Sequence, residues 1–104
     1  MSTPETKVKV KLQRLFKKYN VLSSCVQQSG FGASSGYPDY LGYTSKGVHF
    51  VVEVKSATGK LSPLQLNWKT RLEARKVPWF LYNGEPESCY ALELFLANNS
   101  VDGV

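Results

Sequence analysis

The sequence predicts an α/β fold in which a mixed β-sheet is flanked by helices. Three observations support this class: apolar residues at helical spacing near the start, alternating apolar residues in the middle, and a helix-length segment between two apolar strands. The predicted order is helix, three strands, helix, strand, helix. Because the last two strands are joined through a helix, we expect them to run parallel.

The length of 104 residues predicts one domain covering residues 1–104, with enough chain to bury a hydrophobic core. No apolar run reaches the roughly 18 residues of a membrane-spanning helix, and Met1 to Thr6 lack the apolar core of a secretory signal. A cytoplasmic location is therefore expected. Cys25 and Cys89 stand far apart and give no support to a structural zinc site.

The net charge of +5 fits a polyanionic partner, of which nucleic acid is the commonest, although many basic proteins of this size bind none. Part of this charge falls in the first helix, predicted from Pro4 to Tyr19. Its basic stripe fits either a solvated helix face or a surface that follows a nucleic-acid backbone. Apolar and basic residues recur there at helical spacing, as Val8, Leu12, Leu15, Phe16 and Tyr19 and as Lys7, Lys11, Arg14 and Lys18.

Three strands are predicted next, at Val21–Gln28, Asp39–Tyr43 and Val48–Lys55, with a loop at Ser29–Gly36 after the first. The short turn Ser45–Gly47 makes the second and third strands an antiparallel hairpin. Side chains alternate along a strand, so the third strand presents two different faces. The core face carries Val48, Phe50, Val52 and Val54, and the other face carries His49, Val51, Glu53 and Lys55.

The second helix is expected to begin with Ser62 as N-cap and Pro63 in the first turn, and to end near Arg75. The final strand is predicted at Trp79–Tyr82 and the final helix at Glu87–Ala97. We expect the second helix to face the core through a stripe of four apolar residues, Leu61, Leu64, Trp68 and Leu72.

The chemically informative residues lie at the two ends of the hairpin. Asp39 begins one strand, and Glu53 and Lys55 end the next, so antiparallel pairing brings them together. Carboxylates are the hard oxygen ligands that Mg²⁺ prefers, and the backbone carbonyl of Val54 offers another. A metal there would lower the pKa of a bound water, while Lys55 would orient that water or stabilise the charge that develops on a phosphate.

Each feature also has an ordinary structural explanation. A Glu-x-Lys pair at a strand end is commonly a surface ion pair of little energetic value. Asp39 follows Pro38, a combination typical of turns. The three residues together, at positions that the hairpin would bring into contact, favour a metal-dependent hydrolytic site.

The pattern resembles a known family. Pro38-Asp39 followed by Glu53-Val54-Lys55 matches the PD-(D/E)XK nuclease signature. With Gly36 before it and the segment Gly59–Gln65 after it, the chain resembles the VRR-NUC branch, the virus-type replication-repair nucleases. The resemblance spans about 36 to 82 and implies a restriction-endonuclease-like core with the order α-β-β-β-α-β-α.

The resemblance also implies roles for individual residues. Asp39 and Glu53 would be metal ligands for Mg²⁺ or Mn²⁺, Lys55 the catalytic lysine, and Gln65 a helix residue that contacts the active-site water or a phosphate. Relatives often carry a further Glu in the first helix, where this chain offers only Glu5. Small stand-alone members are typical of phages, which act in a bacterial host cell, and resemble homodimeric endonucleases that cut branched DNA such as the Holliday junction.

Three further residues are candidate DNA contacts: Lys60 and Lys69, which flank the Gln65 region, and Tyr37. For Lys60 and Lys69, a solvated surface lysine without a role in binding is an equally good explanation. Two other functions remain open at this stage. One is a non-catalytic nucleic-acid-binding module on the same fold, which the intact Asp39, Glu53 and Lys55 disfavour. The other is a small interaction protein whose charged pairs are only surface features.

Overall fold

The order of helices and strands confirms the predicted α/β fold. The computed structural model describes residues 4–26 and 36–101. Residues 27–35, with the end of the predicted first strand and most of the following loop, lie outside this description. The elements are α1 (Pro4–Lys18), β1 (Leu22–Cys25), β2 (Tyr40–Tyr43), β3 (His49–Val54), α2 (Pro63–Ala74), β4 (Trp79–Tyr82) and α3 (Pro86–Asn98).

The strands form one mixed sheet in the order β1-β2-β3-β4. The β1–β2 and β2–β3 pairs are antiparallel, whereas β3 and β4 are parallel. Both the hairpin and the helical crossover through α2 are therefore as predicted. Among the described residues, no helix is long and apolar enough to span a membrane.

The hydrophobic core lies on one face of the sheet, beneath α1 and α3. Gly42 of β2 leaves room for the ring of Phe50, since a Cβ there would come within 2.9 Å of that ring. The alternation predicted for β3 is observed, because Phe50, Val52 and Val54 all join this core. The remaining buried members of the core cluster are Leu12, Phe16, Tyr40, Tyr82, Leu92 and Leu96.

Helix α2 covers the opposite face, and its predicted burial is wrong. Ser62 and Pro63 begin the helix as expected, but none of its residues is fully buried. Leu64, predicted to face the core, is 52% exposed. The reason is that α2 lies over the sheet face that carries Glu53, and it meets that face partly through the polar side chain of Gln65. The half-buried Trp68 packs edge-to-face on Tyr37 with a centroid distance of 5.0 Å.

Candidate active site

The β2–β3 hairpin places the Asp39 carboxylate beside the end of β3. Tyr40 pairs with Val52 in the antiparallel register, so the residue before Tyr40 lies next to Glu53 and Val54. One Asp39 oxygen, Oδ2, accepts a hydrogen bond of 2.8 Å from the backbone N–H of Val54. This bond fixes the carboxylate at the strand end.

Glu53 is a buried carboxylic acid on the α2 side of the sheet, with only 3% of its surface exposed. Its Oε2 accepts a hydrogen bond of 3.2 Å from Nε2 of Gln65. Burial, and then the hydrogen bonding and negative charge of Asp39, raise the pKa of Glu53 to about 8. The charge of Lys55 acts in the opposite direction, while that of Glu5 adds slightly to the increase.

Gln65 reaches Glu53 because the first turn of α2 is tightly constrained. Ser62 and Gln65 form a reciprocal capping box, in which Ser62 Oγ accepts from the N–H of Gln65 and Gln65 Oε1 accepts from the N–H of Ser62. Gly36 packs its backbone directly on this turn. A Cβ at Gly36 would lie 2.6 Å from the carbonyl carbon of Leu64, and the φ of +86° also favours glycine.

Lys55 follows β3 directly and is half-buried. Its backbone N–H donates to the carbonyl of Tyr82 at 3.1 Å, which extends the parallel pairing with β4 by one residue. The side-chain stem passes close to Gly59, where an added Cβ would lie 3.3 Å from the Lys55 Cβ and Cδ. The charge of Lys55 is near enough to Glu53 to stabilise its ionised form.

The donor set fits a divalent cation that also binds substrate. Burial of Glu53, and then the hydrogen bond and negative charge of Asp39, raise the pKa of Glu53 and so disfavour its ionised form, which a bound cation would stabilise. Within residues 4–26 and 36–101, no group of three His, Cys, Asp or Glu side chains is placed to hold a metal. The pair of Asp39 and Glu53 alone still suits Mg²⁺, which typically takes one or two carboxylates and completes its shell with water and phosphate oxygens.

The comparisons with known proteins agree with this arrangement at the level of the fold. A solved structure of a VRR_NUC domain matches with a TM-score of 0.76 and 27% sequence identity, covering 88% of this chain and 97% of that one. The chain has the VRR-NUC fold. No family model matches the sequence, and no curated protein matches it either.

Within this VRR-NUC fold, the residues predicted as DNA contacts have different environments. Lys60 is exposed. Lys69 is engaged within the protein, since its Nζ lies 2.9 Å from Glu73 Oε1 and 5.3 Å from the centre of the Trp79 ring. Tyr37 is half-buried against Trp68. Of the three, Lys60 is the exposed residue, while Lys69 and Tyr37 are half-buried.

Sequence reasoning missed two structural contributions to the site. One is the Val54 N–H, because a backbone donor leaves no signal in the sequence beyond the strand itself. The other is the contact of Gly36 with the first turn of α2. A glycine three residues before Asp39 was visible, but the helix turn that it touches is distant in the chain.

Proposed function

We propose that this protein is a Mg²⁺-dependent endonuclease that hydrolyses phosphodiester bonds in DNA. The observation that carries the proposal is the convergence of Asp39, Glu53 and Gln65. Asp39, which precedes β2, accepts from the Val54 N–H at the end of β3, and Glu53 of β3 accepts from Gln65 of α2. The VRR-NUC fold supports a nuclease-type function. The net charge of +5 agrees with a polyanionic substrate.

The cation would be held by Asp39, Glu53 and the backbone carbonyl of Val54. When bound, Mg²⁺, or Mn²⁺ in its place, supplies positive charge that lowers the pKa of a water and neutralises phosphate oxygens. Gln65 keeps the Glu53 carboxylate in place through its 3.2 Å hydrogen bond. The Val54 N–H does the same for Asp39.

Hydrolysis joins a water oxygen to the phosphorus and breaks one phosphorus–oxygen ester bond. The attacking water releases one proton to solvent, and the departing alkoxide takes up one. Negative charge increases on the phosphate oxygens during this step. The Lys55 ammonium, which extends from the end of β3 beside Glu53, stabilises that charge and orients the attacking water. The buried position of Glu53 strengthens these electrostatic interactions, since little water is present to screen them.

The substrate is proposed to be branched DNA, such as a four-way Holliday junction, cut by a homodimer that places one site on each of two strands. This finer proposal rests on the resemblance to small phage enzymes and not on a contact within the chain. Sedimentation at micromolar concentration tests the homodimer. A strict monomer would contradict paired cutting by a single assembly.

The deciding experiment compares a labelled four-way junction with duplex and single-stranded DNA, in Mg²⁺, Mn²⁺ or EDTA, using wild type and Glu53→Ala. Paired, metal-dependent cuts in the junction alone, lost in the variant, are the expected result. Cutting of all DNAs would keep the nuclease and remove the junction preference. Binding without any cutting would instead indicate a non-catalytic nucleic-acid-binding module.

A further inference from the structure

The exposed face of α1 carries a row of cations that the proposed chemistry does not use. Lys7, Lys11 and Arg14 recur at helical spacing and are exposed, and we call these three residues the α1 basic stripe. Lys18 belongs to the same helix face, but its Nζ lies 2.7 Å from Glu93 Oε2, which also accepts from the hydroxyl of Tyr19. That carboxylate neutralises Lys18 and ends the stripe at Arg14.

The stripe begins close to the candidate active site. Lys11 Nζ donates to the carbonyl of Gly84, two residues beyond Tyr82, whose own carbonyl accepts from the N–H of Lys55. Lys7 and Lys11 also line a cleft together with Ala57, two residues beyond Lys55. Glu85 lies in the same cleft.

The basic residues of α2 are a weaker alternative surface. Among residues 4–26 and 36–101, the side-chain ion pairs are Lys18–Glu93 and Lys69–Glu73. One lysine of α1 and one lysine of α2 are therefore neutralised. On α2 this leaves Arg71, whose guanidinium stacks 5.2 Å from the Trp68 ring centre. On α1 all three residues of the α1 basic stripe remain, and Lys11 makes a hydrogen bond of 3.2 Å to the carbonyl of Gly84.

We propose that the sugar–phosphate backbone flanking the scissile bond runs along α1 and is bound by Lys7, Lys11 and Arg14. This inference rests on the proposed nuclease function and adds the path of the substrate. Seven residues of helix rise about 10 Å. The phosphates of one DNA strand are spaced more widely along the backbone than their rise of about 3.4 Å along the duplex axis, so the stripe accommodates about two or three of them. Contacts of this type bind the backbone without reading its sequence.

The test measures DNA binding in EDTA, so that cleavage is excluded, over a series of salt concentrations. The stripe variant carries Lys7→Gln, Lys11→Gln and Arg14→Gln. The control carries Lys17→Gln, Lys46→Gln and Lys76→Gln, which remove the same charge from exposed residues elsewhere. Lys17 is a strict control within α1, because it lines a different cleft with Asn20 and Ser23.

The slope of log K against log salt is negative, and each lost phosphate contact reduces its magnitude by about 0.9 on duplex DNA. The stripe variant should therefore lose up to about 2.7 of slope, while the control keeps the wild-type slope. A third variant, Lys7→Arg, Lys11→Arg and Arg14→Lys, retains the charges and should restore the slope. Melting temperatures of all variants identify any that fail through folding.

Equal loss of slope in the stripe variant and the control would overturn the proposal, because overall charge would then explain the binding. An unchanged slope in the stripe variant would also overturn it. The nuclease is tested separately by cleavage in Mg²⁺. If the wild type cuts DNA but the stripe variant keeps the wild-type salt slope, the proposed backbone path is refuted and the nuclease function is kept. If the salt slope falls in the stripe variant alone but the wild type does not cut DNA, the nuclease function is refuted and the binding surface is kept.

Discussion

A single side chain, that of Gln65, connects the cap of α2 to the buried carboxyl group of Glu53. Its Oε1 accepts from the Ser62 N–H at 2.8 Å, and its Nε2 donates to Glu53 Oε2 at 3.2 Å. The amide is suited to both tasks because it carries an acceptor and a donor on one planar group. Helix stability and the orientation of Glu53 therefore depend on the same residue.

This relationship predicts different outcomes for two changes in the capping box. Ser62→Ala removes the hydroxyl that accepts from Gln65 N–H, and should lower the free energy of unfolding by about 1 kcal/mol while leaving the bond to Glu53. Gln65→Met removes both amide contacts and should lower stability similarly, but also reduce cleavage at least about tenfold. Denaturant unfolding and single-turnover cleavage, measured on both variants, separate the two effects. Equal activity in the two variants would show that Gln65 only caps the helix.

The metal model makes Glu53 and Asp39 indispensable. Glu53→Gln and Asp39→Asn preserve size but remove a negative charge, so cleavage in Mg²⁺ should fall by roughly a thousandfold or more while DNA binding in EDTA is retained. Glu73→Gln is the matched control, since Glu73 pairs with Lys69 on the surface of α2. The rate constants come from single-turnover assays on labelled DNA. Wild-type rates in both site variants would refute the model.

Much of this site follows from the period of a strand and the geometry of a hairpin. Alternation along β3 separates Glu53 from Val52 and Val54, and antiparallel pairing brings Asp39 to the same end. The sequence could not reveal that α2 is only half-buried, because Leu64 has the spacing of a core residue yet lies over a polar face. That difference depends on what the helix covers, which is a property of the assembled fold.

The pairing of Lys69 with Glu73 shows another limit. The i,i+4 spacing was readable and favours an ion pair, but the same spacing also permits Lys69 to extend toward a substrate. Trp79, which belongs to β4 and not to the helix, lies 5.3 Å from the ammonium and favours the paired orientation. A sequence-based choice between the two orientations needs this tertiary contact.

The raised pKa of Glu53 predicts a pH-dependent stability of the metal-free protein. The pKa of Glu53 is about 8 in the folded state, whereas the ordinary pKa of a Glu carboxyl group is 4.5. As the pH rises, the unfolded chain therefore releases this proton at a lower pH than the folded protein does. Stability is therefore full below about pH 4.5 and is lost as the pH rises toward 8, by roughly 1–3 kcal/mol. Thermal unfolding in EDTA between pH 5 and 8 measures the loss.

Glu53→Gln cannot release the proton, so it should remove most of this pH dependence. Added Mg²⁺ should have the opposite effect to a rise in pH, because it favours the ionised carboxylate and stabilises the folded protein more at pH 8 than at pH 5. A wild type whose metal-free stability is constant between pH 5 and 8 would contradict the raised pKa that burial and Asp39 give Glu53.

Lys55 is predicted to act on the reacting groups and not on metal affinity. Lys55→Ala should slow cleavage by roughly a hundredfold or more, since it removes the cation beside the phosphate, while Mg²⁺ affinity stays the same or increases slightly. Isothermal titration of Mg²⁺ alongside single-turnover cleavage measures both quantities. Lys46→Ala is the control, because Lys46 is exposed in the turn between β2 and β3, at the opposite end of the hairpin from Lys55. A large loss of metal affinity in Lys55→Ala would assign Lys55 a structural role instead.

Gly36 and Gly47 provide a matched pair for testing how closely α2 must approach the hairpin. Both have a positive φ, of +86° and +84°, but an added Cβ meets nothing within 4 Å at Gly47 and lies 2.6 Å from the Leu64 backbone at Gly36. Gly47→Ala should therefore cost only the backbone strain, about 1 kcal/mol. Gly36→Ala should cost about 1–3 kcal/mol more through the steric overlap, and it should reduce cleavage by displacing Gln65 from Glu53.

Denaturant unfolding measures the loss of stability, and single-turnover cleavage measures the loss of activity. Since the turn at Gly47 is far from Glu53, equal cleavage losses in the two variants would indicate general destabilisation, whereas a loss confined to Gly36→Ala would show that the packing of this glycine on α2 positions the site.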